Sequence, residues 1–261
     1  MSKVYYKSAE DIEQLRKSAT VLSQLLGEIA KEIKPGITTL SLDKLAYDYI
    51  HDHGGRPAFL NYNGFPNSLC ISVNDQIVHG IPSNYELRDS DIVSVDGGVD
   101  LNNFISDSAY TFAVGEVRPE VEQLLRVTLE SLNLAIKQAV VGKRVGDIAY
   151  TVQEHVNQYG YGIVRELVGH GVGYKLHEKP EVPNYGKRGT GTKLEMGLVI
   201  CIEPMINMGK AGVKFWDDGW TVSTSDGKPS AHYEHMVAVR KGTPDVLTTF
   251  AYIEEVLNKR G

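Results

Sequence analysis

Between positions 93 and 108 the chain carries two arms rich in β-branched and small residues around Asp100-Leu101-Asn102-Asn103, and no other stretch narrows its fold as much. That tetrapeptide has the residue types of a hairpin turn. With Leu101 and Asn102 at the centre of the turn, Asp96 and Asp107 become direct cross-strand partners, their Cβ atoms roughly 4.5–5.5 Å apart. Like charges so placed destabilise a sheet. Spacing alone leaves two readings open: solvated aspartates beside a turn, or a pair neutralised by a shared proton or a cation.

The elements around this hairpin repeat in kind. Ser8 and Asp11 form a helix-start signal, and Ile12, Leu15, Ala19, Leu22, Leu26, Ile29 and Ile33 then recur at three- and four-residue spacing. Lys34-Pro35-Gly36 stops that helix, and a shorter one is expected around 42–50. Strands are expected at 68–73, 91–99 and 104–114. Arg118-Pro119-Glu120 opens a second long helix, with Val121, Leu124, Leu125, Leu132, Ile136 and Val140 as its stripe. A third helical pattern starts at Asp147, and strands return at 194–202, 220–223 and 235–240. Two helices followed by strands, twice over, predict an α+β fold. We read 1–261 as a single domain with pseudo-repeated halves near 8–115 and 119–241.

Composition sets limits on partners. The 261 residues include 42% apolar and 23% charged side chains, ordinary for a globular protein. The net charge of −6 argues against a direct nucleic-acid reader. The first residues have no apolar core of a signal peptide, and no run approaches a membrane span. Cys70 and Cys201 are too few for a disulfide framework, so a reducing, cytoplasmic setting is expected.

Three further positions stand out as metal-ligand candidates. His170 lies in Gly169-His170-Gly171-Val172-Gly173, where small neighbours leave an imidazole uncovered. Glu203 ends the apolar run Ile200-Cys201-Ile202 just before Pro204, and a carboxylate at the end of a buried strand needs a partner. Glu234 enters another apolar strand in His232-Tyr233-Glu234-His235. Locally, a structural histidine and glutamates emerging into solvent remain open. Taken with Asp96 and Asp107 they make four carboxylates and one imidazole, an oxygen-rich set suited to Mn, Fe(II), Co or Zn. That much negative charge fits two ions better than one.

These five residues, with Cys70-Ile71-Ser72-Val73-Asn74, His79-Gly80-Ile81-Pro82, Leu176-His177-Glu178-Lys179-Pro180 and Ile202-Glu203-Pro204, resemble the type I methionine aminopeptidases over nearly the whole chain. The resemblance implies the pita-bread fold: two pseudo-symmetric halves of helices and antiparallel strands around a central dimetal site. It implies that Asp107 and Glu234 bridge two divalent ions, with Asp96 on one and His170 and Glu203 on the other. It further implies removal of the initiator methionine from nascent polypeptides, favouring a small second residue, by a dimetal-activated water. Glu203 would then shuttle the proton, and His79 and His177 would lie beside the substrate. Phe59, Tyr62, Phe65, Cys70 and Trp220 match the methionine pocket. A monomer and a transient association with the ribosome are the expected assembly and partner.

Two departures touch the surroundings of the ligands. Ile105-Ser106 precedes Asp107 where the family often has His-Gly, and Gly97-Gly98 follows Asp96 where bulkier residues are common. Phe59 also stands where a smaller residue is frequent. Outside the resemblance, His79 reads as a turn histidine, Glu178-Lys179 as exposed loop, and the aromatics as ordinary core. Rival readings are an Xaa-Pro peptidase of the same fold, which usually carries an extra N-terminal domain, and a binding module, which would have lost its ligands.

Overall fold

A computed structural model describes residues 3–259. Helix α1 (Ala9–Glu32) starts at a capping box in which Ser8 accepts from the Asp11 amide while the Asp11 carboxylate accepts from Ser8. All seven residues of its expected apolar face are buried. Truncating one of them, Leu26→Ala, is worth about 2–5 kcal/mol because the site cannot fully collapse. Helix α2 (Thr39–Asp52) follows, then α3 (Pro119–Ile136), α4 (Val145–Asn157) and a C-terminal α5 (Ala251–Asn258). Nothing in the sequence reading anticipated α5, which packs on α1 so closely that a Cβ on Gly27 would sit 2.7 Å from that of Tyr252.

Every paired strand runs antiparallel to its neighbour. The strands Ile92–Leu101 and Phe104–Ala113 form the long hairpin, and Leu69–Val73 and Arg56–Pro57 pair with its first arm. A five-stranded sheet has the order Asp245–Val246, His235–Ala238, Val199–Ile202, Gly169–Gly171, Glu178–Val182. Two three-stranded sheets complete the β structure among the described residues. Helix α1 lies across the hairpin, where Ser18 Oγ donates to Val99 O at 2.7 Å. The mixture of helices and antiparallel sheet is the α+β class expected.

The hairpin register differs from the expected one by two residues. Leu101 pairs with Phe104, so Asn102 and Asn103 form the turn, at φ 56° and 65°. A two-residue turn that follows the sheet twist needs two left-handed residues, and asparagine tolerates that conformation far better than leucine. Asp96 therefore faces Ala109, and Asp107 faces Gly98. The two aspartates are diagonal rather than direct neighbours. A shift of two keeps each side chain on its original face, so both still share one side of the sheet.

A candidate metal centre at the meeting of two sheets

The two main sheets meet along Phe104–Ala113 and the segment 230–235. Glu234 donates its amide to Ala109 O at 2.9 Å, and Ser108 Oγ donates to Glu234 O at 2.8 Å. Thr111 Oγ1 donates to His232 O at 2.7 Å and accepts from His232 N at 2.9 Å. These bonds clamp the strand of Asp107 against the segment of Glu234. Glu203 leaves the end of Val199–Ile202, and His170 sits in the next strand of the same sheet, which pairs through Gly171 and Ile200.

Side chains of all five candidate ligands line one cavity of about 300 Å³. His170 Nε2 lies 3.5 Å from Glu203 Oε1 and 3.7 Å from Asp107 Oδ2. Ligand atoms of Asp107, His170, Glu234 and Cys201 all fall within 4.8 Å of one another. Asp107, Glu203 and Glu234 are buried, so neither solvated aspartates by a turn nor a glutamate emerging into water describes them.

The residues fit a cation in three respects. Buried Asp96 Oδ1, Asp107 Oδ1 and Glu234 Oε1 have no hydrogen-bond partner among the described residues, a costly state for carboxylate oxygens in protein. Burial raises the carboxyl pKa of all four acids, Asp96 to about 6, so they cannot all ionise without compensating positive charge. His170 places Nδ1 3.0 Å from Gly171 O, the bond that fixes the tautomer with a free Nε2 lone pair. Burial also lowers its pKa to about 3, so the imidazole is neutral, as a metal ligand must be.

Opposite the acids, the cavity is apolar. Phe59, Phe65, Cys70 and Leu176 form a buried cluster, with Tyr62, Ile81, Ile105 and Trp220 packed against it. Phe65 and Trp220 meet edge to face, their centroids 5.1 Å apart. All five expected pocket residues are gathered here, together with Leu176, which the sequence reading did not single out. Phe59 and Gly98 fit as a pair: a Cβ on Gly98 would fall 2.9 Å from the Phe59 ring. The large residue at 59 uses the space left by the small one at 98.

His79 and His177 both line the cavity. His79 is half-buried at φ 59°, with its pKa lowered to about 4 by burial, and its ring is edge-on to Trp220. It is therefore no surface turn residue. His177 Nδ1 lies 2.8 Å from the Tyr62 hydroxyl, and its ring centroid is 4.2 Å from that of His170. The residue after it is not exposed loop. Glu178 is buried at the start of Glu178–Val182, accepts from the amides of Tyr174 and Lys175, and pairs with Lys7. Lys7 lies so far away in sequence that no local pattern announces the pair.

Neither departure before Asp107 reaches the acids directly. Ser106 Oγ bonds Ser18 Oγ on α1 at 2.9 Å, and the Ile105 amide donates to Gly173 O. Two residues near the acids escaped the sequence reading. His232 Nε2 is 3.5 Å from Glu203 Oε2, and neither of its ring nitrogens has a hydrogen-bond partner among the described residues. Cys201 lies in the strand Val199–Ile202, two residues before Glu203 at its end, and the two-residue period of an extended chain turns both toward one face.

Neutral imidazole, converging buried carboxylates and an adjoining apolar cavity define the class: a metal-dependent hydrolase that acts on a substrate with an apolar group. Residues 13–241 match metallopeptidase family M24. The chain is 49% identical over 245 residues to a methionine aminopeptidase of Clostridium perfringens, covering 94% of this chain and 98% of that one. Its structure is similar to the crystal structure of the methionine aminopeptidase from Thermotoga maritima, with a TM-score of 0.93 at 38% identity over 95% of this chain and all of that one. A prolidase from Pyrococcus furiosus, at 23% identity and a TM-score of 0.77, shares the fold, and this chain covers 65% of it. The chain belongs to metallopeptidase family M24 and has the pita-bread fold.

Proposed function

We propose that the protein removes the N-terminal methionine from polypeptides, with a small residue preferred in second place. The observation that carries this reading is the juxtaposition, within one 300 Å³ cavity, of the acid cluster and a wall of Phe59, Phe65, Cys70 and Trp220. That volume is at the small end for ligand sites and suits one residue and its peptide group. An unbranched thioether fills an irregular apolar wall well. Relatives at 43% and 49% identity carry the same activity in their names, whereas the Xaa-Pro enzymes share the fold at identities that say nothing of substrate.

In this reading Asp96, Asp107, His170, Glu203 and Glu234 hold two divalent ions, drawn from Co, Mn, Fe(II) or Zn, and the whole chain acts as one catalytic unit. A bound pair of such ions supplies Lewis acidity and lowers the pKa of a water toward neutrality. The protein's own groups do the rest. Glu203, at the strand end beside His170 and His232, takes a proton and returns it to the leaving amine. His79 is neutral near pH 7 and can present a hydrogen bond to the scissile amide or its developing oxyanion. His177, held by Tyr62, flanks the same place. The acid cluster attracts a free α-amine, which restricts cleavage to the first residue. A monomer, a reducing compartment and transient ribosome contact are consistent with this role; among the described residues no helix is long and apolar enough to cross a membrane.

The test is chelation followed by addition of single metals, with methionyl-alanyl-serine against alanyl-prolyl peptides. Activity should return with metal and favour the methionyl substrate. Faster release of leucine or lysine from the first position would refute the pocket assignment, and chelator-resistant activity would refute the metal centre.

A further inference from the structure

A second cavity, about 750 Å³, adjoins the first: the two share Val168, His170 and His177. Its base includes the strand Glu178–Val182, the edge strand of the five-stranded sheet. Its lining also includes Lys3 and Tyr5 from the N-terminal segment, which is tied to that strand by the bridge from Val4 to Lys179. Arg165 and Tyr185 line it too, the guanidinium 4.9 Å above the ring centroid.

The charge of this groove runs against that of the protein. Lys3, Arg165, Lys175 and Lys179 line it, in a chain whose net charge is −6. Of its carboxylates, Glu178 is taken by Lys7 and Glu181 by Lys179. Glu166 remains, and it accepts from the Arg165 amide. Lys3, Arg165 and Lys175 have no carboxylate partner among the described residues. Scattered surface lysines are ordinary. Three unpaired cations around a concave channel focus a positive field within it.

We propose that this groove receives the polypeptide downstream of the scissile bond and selects for aspartate or glutamate a few residues beyond it. The inference rests on the peptidase reading above: the groove shares His170 and His177 with the first cavity and so borders the place where that reading puts the scissile bond. A substrate longer than the small cavity admits needs such an exit, and its side chains pass the unpaired cations.

The test uses metal-loaded enzyme and methionyl-alanyl-seryl hexapeptides ending in three aspartates or three lysines. At low salt the acidic peptide should be favoured by about five- to tenfold in kcat/KM, the sum of a few exposed charge contacts, with the difference in KM. Lys3→Glu/Lys175→Glu should reduce the ratio to about one or invert it, and 0.5 M salt should collapse it in the parent protein. Hydrolysis of the dipeptide methionyl-alanine should be unchanged in the double variant. An unchanged ratio in the variant, or no acidic preference in the parent at low salt, overturns the proposal while leaving the dipeptide activity standing. Failure to cleave methionyl-alanine at all would instead refute the peptidase reading. Loss of single-stranded RNA binding in the variant, with peptide preference intact, would assign the groove to nucleic acid and overturn the proposal.

Discussion

Replacing Asp96 by asparagine should stabilise the chelated protein at pH 8 and leave it no more stable than the parent at pH 4. In the metal-free fold, burial holds the Asp96 carboxyl at about 6, against 3.8 when solvated. The folded state therefore binds this proton more tightly than the unfolded chain. Its stabilising effect is complete below pH 3.8 and disappears as pH rises through 6. The difference corresponds to roughly 3 kcal/mol. Asparagine imitates the neutral acid and carries no charge to desolvate at high pH. Asp107, Glu203 and Glu234 are shifted upward in the same sense, so removing one charge also relieves the others. His170, held at about 3 by burial, acts oppositely and costs stability as pH falls below 6.5, which is why the variant must be compared with the parent at each pH. Urea unfolding in chelator between pH 4 and 8 measures the gap. Added Mn should close most of this gap at pH 8, because a bound ion at 100 times its Kd contributes about 2.7 kcal/mol to a protein that binds it fully. A chelated variant less stable than the parent at pH 8 would refute the argument that these acids are held together against their own repulsion.

Lys7→Met should destabilise the protein by about 3–5 kcal/mol, since it strands the buried Glu178 carboxylate, and the added change Glu178→Gln should recover part of the loss in urea unfolding. His79→Ala should lower kcat by roughly 10²-fold with methionyl-alanyl substrates, and a loss within about threefold would remove His79 from the mechanism. Gly98→Ala places a Cβ against Phe59 and should raise KM for methionyl peptides, with a stability cost of about 1–3 kcal/mol in thermal unfolding.

Much of the scaffold was legible because its elements are long enough to show a period. Leu15, Leu22, Leu26 and Ile29 repeat often enough to define one helix face, and each is fully buried. Strands such as Gly169–Gly171 and Met205–Asn207 have three residues and no period to read. They exist because neighbouring segments supply their hydrogen bonds, a tertiary cause invisible to local propensity. The hairpin shows the limit most clearly. Composition located the turn, but its centre depends on which residues accept positive φ, and Asn102-Asn103 does so better than Leu101-Asn102. The functional inference survived because the error was even.

The candidate ligands were legible as residue types in motifs, and their convergence was not. Asp107 and Glu234 approach because Ser108 and Thr111 side chains bond the backbone of Glu234 and His232 across more than a hundred residues of sequence. The same clamp brings in His232, whose unpaired ring gave no sequence signal beyond its place two residues before Glu234. Backbone and hydroxyl bonds thus hold a group of acids that would separate if the sheets were free to part. The unfolded chain has no such clamp and no reason to keep these charges together. Folding therefore creates the repulsion as well as the site, and a cation that relieves it binds the folded chain alone. Metal affinity and stability in this protein should accordingly change together when any of the clamping hydroxyls is removed.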